Sequence, residues 1–158
     1  MATHGTENAV QAEIYAVQLA ECLKAGLHGL YVIHKDWGSL VGIEWLHSSE
    51  KRMDFYRYTE SELYRMAHTA LAGLVDRGKT HGLTVTSSIR VGGLEEAIAE
   101  EAAAVQADLI VIGSSGGRRS KEYRAKVSLN TLVKKTPCSV LRIKSEAGQH
   151  SREIVKTA

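Results

Sequence analysis

The chain has 158 residues, 44% apolar and 24% charged, with twenty Lys and Arg against eighteen Asp and Glu for a formal charge of +2. That length and apolar content suit one domain with its own core, and exclude a disordered chain, a collagen, a coiled coil and a disulfide-stapled miniprotein. No apolar run approaches the roughly 18 residues of a membrane span, residues 1–20 lack a secretory leader's order, and Cys22 and Cys138 form no framework spacing, so a reducing, cytoplasmic setting without membrane insertion is expected.

In chain order, residues 8–25 carry Ala12, Ala16, Leu19 and Leu23 at helical spacing, and Gly26 offers a stop. Leu30–Ile33 reads as a short strand. Residues 35–58 show no clean period and read as a long connection, unusually apolar for a loop because it holds Trp37, Trp45, Phe55 and Tyr56. Two uses fit that segment: a short helix packed over the sheet edge, or a partner or ligand surface. Thr59-Glu-Ser-Glu62 looks like a capping entry to a helix carrying Leu63, Ala67, Ala70 and Leu74.

Residues 83–89 alternate as a half-buried strand does, Val91-Gly-Gly93 turns the chain, and 94–106 predicts a helix with Leu94, Ile98, Ala102 and Val105 inward. Asp108–Ile112 is a continuous aliphatic run, the pattern of a strand covered on both faces. A Gly/Ser/Arg loop and a helix near 125–135 follow. Pro137 closes that helix, and Cys138–Ile143 predicts the last strand. Strands separated by helices imply an α/β fold: a doubly wound, mostly parallel five-stranded sheet with helices on both faces. We expect one such domain over 1–144 and a C-terminal tail over 145–158.

Open α/β sheets bind ligands beyond the carboxyl ends of their strands. Gly113-Ser114-Ser115-Gly116-Gly117 lies there, directly after the most apolar strand. Glycines let backbone N–H groups approach an anion, serines add donors, and Arg118, Arg119, Lys121, Arg124 and Lys126 follow within nine residues. The loop suits a phosphate; it equally suits a solvated turn. It is neither a Walker A loop nor a dinucleotide fingerprint.

The stretch VGGLEEAIAEEAAAVQADLIVIGSSGG (91–117), with TPCSVLRIK (136–144), resembles the universal stress protein family. The resemblance implies a fold of the adenine nucleotide alpha hydrolase-like type, a non-catalytic role in stress response or regulation, and a homodimer formed through the last strand. A protein partner such as a transporter or kinase is a further implication. Nucleotide-binding members of that family carry GxxG, nine residues, then Gly and a hydroxyl residue. Gly113 and Gly116 match the first half; Lys126 replaces the second glycine and Ser128 supplies the hydroxyl one place late. Two expectations follow from this departure: a degraded site in a docking module, or an ATP- or AMP-binding stress protein using the Gly113–Gly116 loop. An enzyme of a related nucleotide-binding group is disfavoured, because the HxGH and SGGxDS motifs are absent.

Family members open with an apolar strand running into Asp-Gly-Ser. Here Met1 is followed almost at once by His4-Gly5-Thr6, so His4 stands where the adenine-contacting Asp would be, and the first strand is missing from the N-terminus. The tail Arg152-Glu-Ile-Val-Lys-Thr-Ala158 resembles that strand placed at the other end. Three readings stand: the tail fills the vacant slot, within the chain or by exchange between subunits; it frays as a polar terminus; or the reading frame is truncated relative to its natural start.

His34, at a strand end, is a candidate ligand contact or a structural histidine. None of the seven histidines has metal-ligand spacing. Both cysteines read as buried, and Glu95, Glu96, Glu100 and Glu101 as the solvated face of their helix. The basic run lacks interleaved aromatics and any nucleic-acid motif, so no nucleic-acid partner is expected.

Overall fold

The structure is a computed structural model describing residues 1–40, 48–113 and 127–144. Five parallel strands stand in the order β3-β2-β1-β4-β5: β1 (Ala2–Thr3), β2 (Leu27–His34), β3 (Val85–Gly92), β4 (Leu109–Gly113) and β5 (Ser139–Ile143). Between them run α1 (Glu7–Leu23), α2 (Trp37–Leu40), α3 (Ser49–Thr80), α4 (Leu94–Ala104) and α5 (Leu129–Lys135). The α/β expectation holds, and the sheet is parallel at every described pairing.

Alternation along the strands sorts the core into two layers. Leu27 and Val111 pack with Ala16, Val17 and Leu74 beneath α1 and α3. Leu30, Ile110 and Ile112 pack with Ile98, Ala102 and Leu132 beneath α4 and α5. β4 is buried over Ile110–Ile112, as its unbroken aliphatic run requires.

Several expectations change. The helix expected from 59 begins ten residues earlier, at Ser49, capped by Ser48, whose hydroxyl accepts from the Lys51 N–H. Its first turns are mostly exposed, Met53 and Tyr58 more than half so, and therefore show no apolar period. Part of the supposed long connection is thus helix, and Trp37 of α2 packs edge-on against Tyr56 of α3, ring centroids 5.8 Å apart. Cys22 is exposed rather than buried, because it falls on the outer side of the last turn of α1.

Glu101 is not on a solvated face. It is 5% exposed and accepts from Ser88 Oγ at 2.6 Å and Arg90 Nε at 2.6 Å, with His28 Nε2 at 3.0 Å. Burial pushes this carboxyl up, but the hydrogen bonds from Ser88 and Arg90 and the charge of Arg90 outweigh it, leaving a net lowering.

The opening strand, expected to be absent, is present as the two-residue β1 in the middle of the sheet. Ala2 pairs with Leu30 and Thr3 with Tyr31 on one side, and Ala2 pairs with Ile112 on the other. Met1 extends the contact: its ammonium donates to the His28 carbonyl at 2.8 Å and its carbonyl accepts from the Leu30 N–H at 2.9 Å. Burial lowers that ammonium's pKa to about 6.

Three variants test this packing. A Cβ at Gly29 would stand 2.8 Å from Leu74 Cδ2 and 3.2 Å from Leu71 Cδ2, whereas one at Gly73 meets nothing within 4 Å. Gly29→Ala should therefore cost about 1–3 kcal/mol. Gly73→Ala, in a helix interior, should stabilise by about 0.5–1 kcal/mol, both read from urea unfolding. Because Glu101 is lowered from an ordinary 4.5, it contributes stability above that pH and loses it as pH falls through the lower, folded value. Glu101→Gln should cost about 1–3 kcal/mol near neutrality and flatten the acid limb of a stability-versus-pH curve.

Candidate functional site

Strand order reverses between β1 and β4, with β2 and β3 on one side and β5 on the other. Such a switch point leaves a crevice at the carboxyl edge, since the connections depart in opposite directions. A cleft of about 370 Å³ opens there. Thr3 and His4 form its floor, Tyr31–His34 and Trp37 one wall, and Ile112, Gly113, Val127 and Leu129 the other. Leu63 and Met66 of α3 and Leu94 of α4 complete an apolar lining. Its size and apolar character suit a small organic ligand.

The floor is held rigid by a buried polar chain. Thr3, 5% exposed, donates its hydroxyl to Glu13, 2% exposed, and Arg77 Nη1 reaches the same carboxylate at 3.4 Å. Thr3 Oγ1 also accepts from the Gly5 N–H at 3.3 Å. Gly5 has φ +70°, and a Cβ there would stand 2.9 Å from Ala70 Cβ, so this turn requires glycine.

The sequence-derived site residues divide into two groups. Gly113, His4 and His34 line the cleft together. The His4 ring contacts Thr6 Oγ1 at 3.0 Å, and His34 Nδ1 accepts from the Asp36 N–H at 3.2 Å with the Asp36 carboxylate 3.8 Å away. Ser128 flanks the cleft wall between Val127 and Leu129, where its hydroxyl caps α5 by accepting from the Thr131 N–H. Its own N–H donates to Glu95 Oε1 at 2.5 Å. Ser114, Ser115, Gly116, Arg118, Arg119 and Lys126 lie outside the described residues, as does the tail at 145–158.

Sequence reasoning missed Arg142, which is the one arginine or lysine among the described lining residues, and also Met66 and Tyr31 as wall residues; Trp37 belongs to the segment with a ligand surface among its two readings. The signal for Arg142 was its place two residues after Val140 on the last strand, on the face shared with α5. Among the described residues no cluster of His, Cys, Asp and Glu could hold a metal ion. Nor is any described helix long and apolar enough to cross a membrane.

Sheet order and switch-point cleft together define a doubly wound α/β domain. Within that class the chain belongs to the universal stress protein family, which it matches over residues 1–144. Solved structures share the fold. A universal stress protein UspA from Lactobacillus plantarum superposes with a TM-score of 0.63 at 20% identity, over 90% of this chain and 93% of that one. A universal stress protein in complex with cAMP gives 0.60 at 21%, over 90% and 93%. A family protein from Arabidopsis thaliana with AMP bound gives 0.55 at 18%, over 88% and 79%. No curated protein matches the chain in sequence.

The buried polar floor makes its own prediction. Thr3→Val keeps the shape but removes the hydroxyl facing Glu13, leaving that carboxylate to Arg77. A loss of about 1–3 kcal/mol is expected in thermal or urea unfolding.

Proposed function

We propose that this chain is a non-catalytic regulatory domain that binds an adenine nucleotide in the switch-point cleft and acts in a stress response. The observation that carries the reading is the apolar cleft of about 370 Å³ walled by Trp37 and Tyr31, with Arg142 at its edge. Flat aromatic and aliphatic walls suit a purine, and a guanidinium suits a phosphate. Family neighbours with AMP and cAMP bound support the choice of ligand class. The Gly113–Gly116 loop, with Arg118 and Arg119, would extend the phosphate side. The domain would act as a cytoplasmic homodimer joined through the edge of β5, where Leu141 is 39% exposed. Bound nucleotide regulates such a dimer only by preferring one of its states.

Two observations favour a second reading, a docking module with a degraded site. The Ser128 N–H, a donor an anion would use, already serves the Glu95 carboxylate, and His4 replaces the expected Asp.

One experiment separates the two. Denature the purified chain and measure any released species absorbing near 260 nm, then titrate ATP, ADP and AMP by thermal shift. Under the first reading the chain is stabilised, Arg142→Glu abolishes the shift, and Glu95→Gln raises affinity about fivefold, or roughly 1 kcal/mol. No released nucleotide and no stabilisation at millimolar concentration, in the parent and in Glu95→Gln alike, would leave the docking reading.

A further inference from the structure

The groove between α1 and α3 holds a second cavity, of about 320 Å³, which the cleft does not account for. Arg65, Thr69, Gly73 and Arg77 line it at four-residue steps, so they share one face of α3 and the cavity runs as a slot along that helix. Its body is apolar, from Val10, Met66 and Ala70, and a Cβ at Gly73 would meet nothing within 4 Å. The volume lies at the small end of the range for small-molecule sites.

Two side chains bring unspent donors to this slot. Tyr31, 8% exposed, rises on the α3 side of the sheet among Ala67 and Leu71, and no described residue hydrogen-bonds its hydroxyl. Every fully enclosed side-chain oxygen among the described residues has a partner, so the Tyr31 oxygen is one that a cavity reaches. A phenol largely taken from water without a partner is costly, which favours an acceptor supplied by a ligand. Burial raises its pKa, so the oxygen keeps its proton and donates. Arg77 spends Nη1 on the Glu13 carboxylate and the Gly73 carbonyl, while its Nε and Nη2 serve no described group. Tyr31 pairs with Thr3 in the sheet, and Thr3 holds the same Glu13, so phenol and guanidinium belong to one end of the slot.

We propose that the slot is a second ligand site, which takes a small organic acid. Its carboxylate head would lie at Arg77 and the Tyr31 hydroxyl, and its aliphatic body along Val10, Ala70 and Gly73.

The donor set selects that head. Nε and Nη2 form the side of a guanidinium that gives two parallel N–H groups to the two oxygens of a carboxylate. An amine head would be repelled there, and an alcohol would leave a donor unused. Arg65 and Arg77 line the slot against one carboxylate, Glu13, whose charge Arg77 and Thr3 already meet. Arg65 is more exposed and pairs with Glu62, so the selection falls to the Arg77 end. The site is independent of what the cleft binds, since the two cavities share only His4, Tyr31 and Met66 among their described walls.

The test is calorimetric titration of the full chain with octanoate, followed residue by residue by amide NMR. Octanoate should saturate and shift the amides of Val10, Thr69 and Gly73, while octanol binds about tenfold more weakly or worse. Tyr31→Phe keeps the ring and should weaken octanoate about tenfold, the worth of one hydrogen bond to a charged group. Gly73→Leu should abolish binding without lowering Tm, because its side chain fills the slot and a glycine leaves a helix interior. Octanol binding as tightly as octanoate would overturn the anionic head. Shifts centred on Ile33, Gly113 and Arg142, undiminished by Gly73→Leu, would put the acid in the cleft and overturn the slot. Absence of binding at millimolar octanoate would overturn the site altogether.

Discussion

A strand in the middle of a parallel sheet answers to two neighbours at once, and the fold depends on how β1 meets that demand. Edge strands leave one row of backbone groups to water, but a central strand that stops short exposes rows on both sides inside the core. Ala2 and Thr3 meet the demand at the carboxyl end, joining β2 to β4 where the cleft is built. Toward the amino end, among the described residues, Met1 continues the contact with β2. The cleft is thus built at the carboxyl end of a two-residue strand.

Buried charge is arranged around the same position. Glu13 lies under the α1 layer, held by Thr3 and Arg77, and Glu101 lies under the α4 layer, held by Ser88, Arg90 and His28. Each carboxylate ties elements distant in sequence: Glu13 joins α1 to β1 and α3, and Glu101 joins α4 to β2 and β3. A carboxylate taken from water is costly unless hydrogen-bonded several times, so both networks specify geometry more than they add net stability. Thr3 is the member common to the floor of the cleft and to the sheet ladder.

Much of this was legible in the residues. The runs at 30–33 and 108–112 predicted strands because a strand buried on both faces leaves little room for polar residues, and β2 contains the first and β4 overlaps the second; the run at 138–143 overlaps β5, which is more exposed. The first ten residues of α3 were not legible, since an exposed helix prints no apolar stripe. Nor was β1, where Ala-Thr carries no strand signal and only its neighbours define it. Glu101 looked like one more carboxylate on an acidic helix, and only the return of β3 beside it supplies Ser88 and Arg90. At the cleft, Gly113 announced itself through loop chemistry. Trp37, Met66 and Arg142 come from separate elements that meet only in three dimensions.

Leu23 and Val105 show how a failed local expectation can carry information. Helical spacing assigns both to the interior, and that spacing holds for Ala12, Ala16, Ile98 and Ala102, which are buried. Leu23 and Val105 stand at the ends of their stripes, in α1 and just past α4, and both line one groove of about 600 Å³. Helical spacing places a residue on a face of its helix, but whether the last turn of that face is covered depends on what neighbouring elements bring there, which no local pattern records.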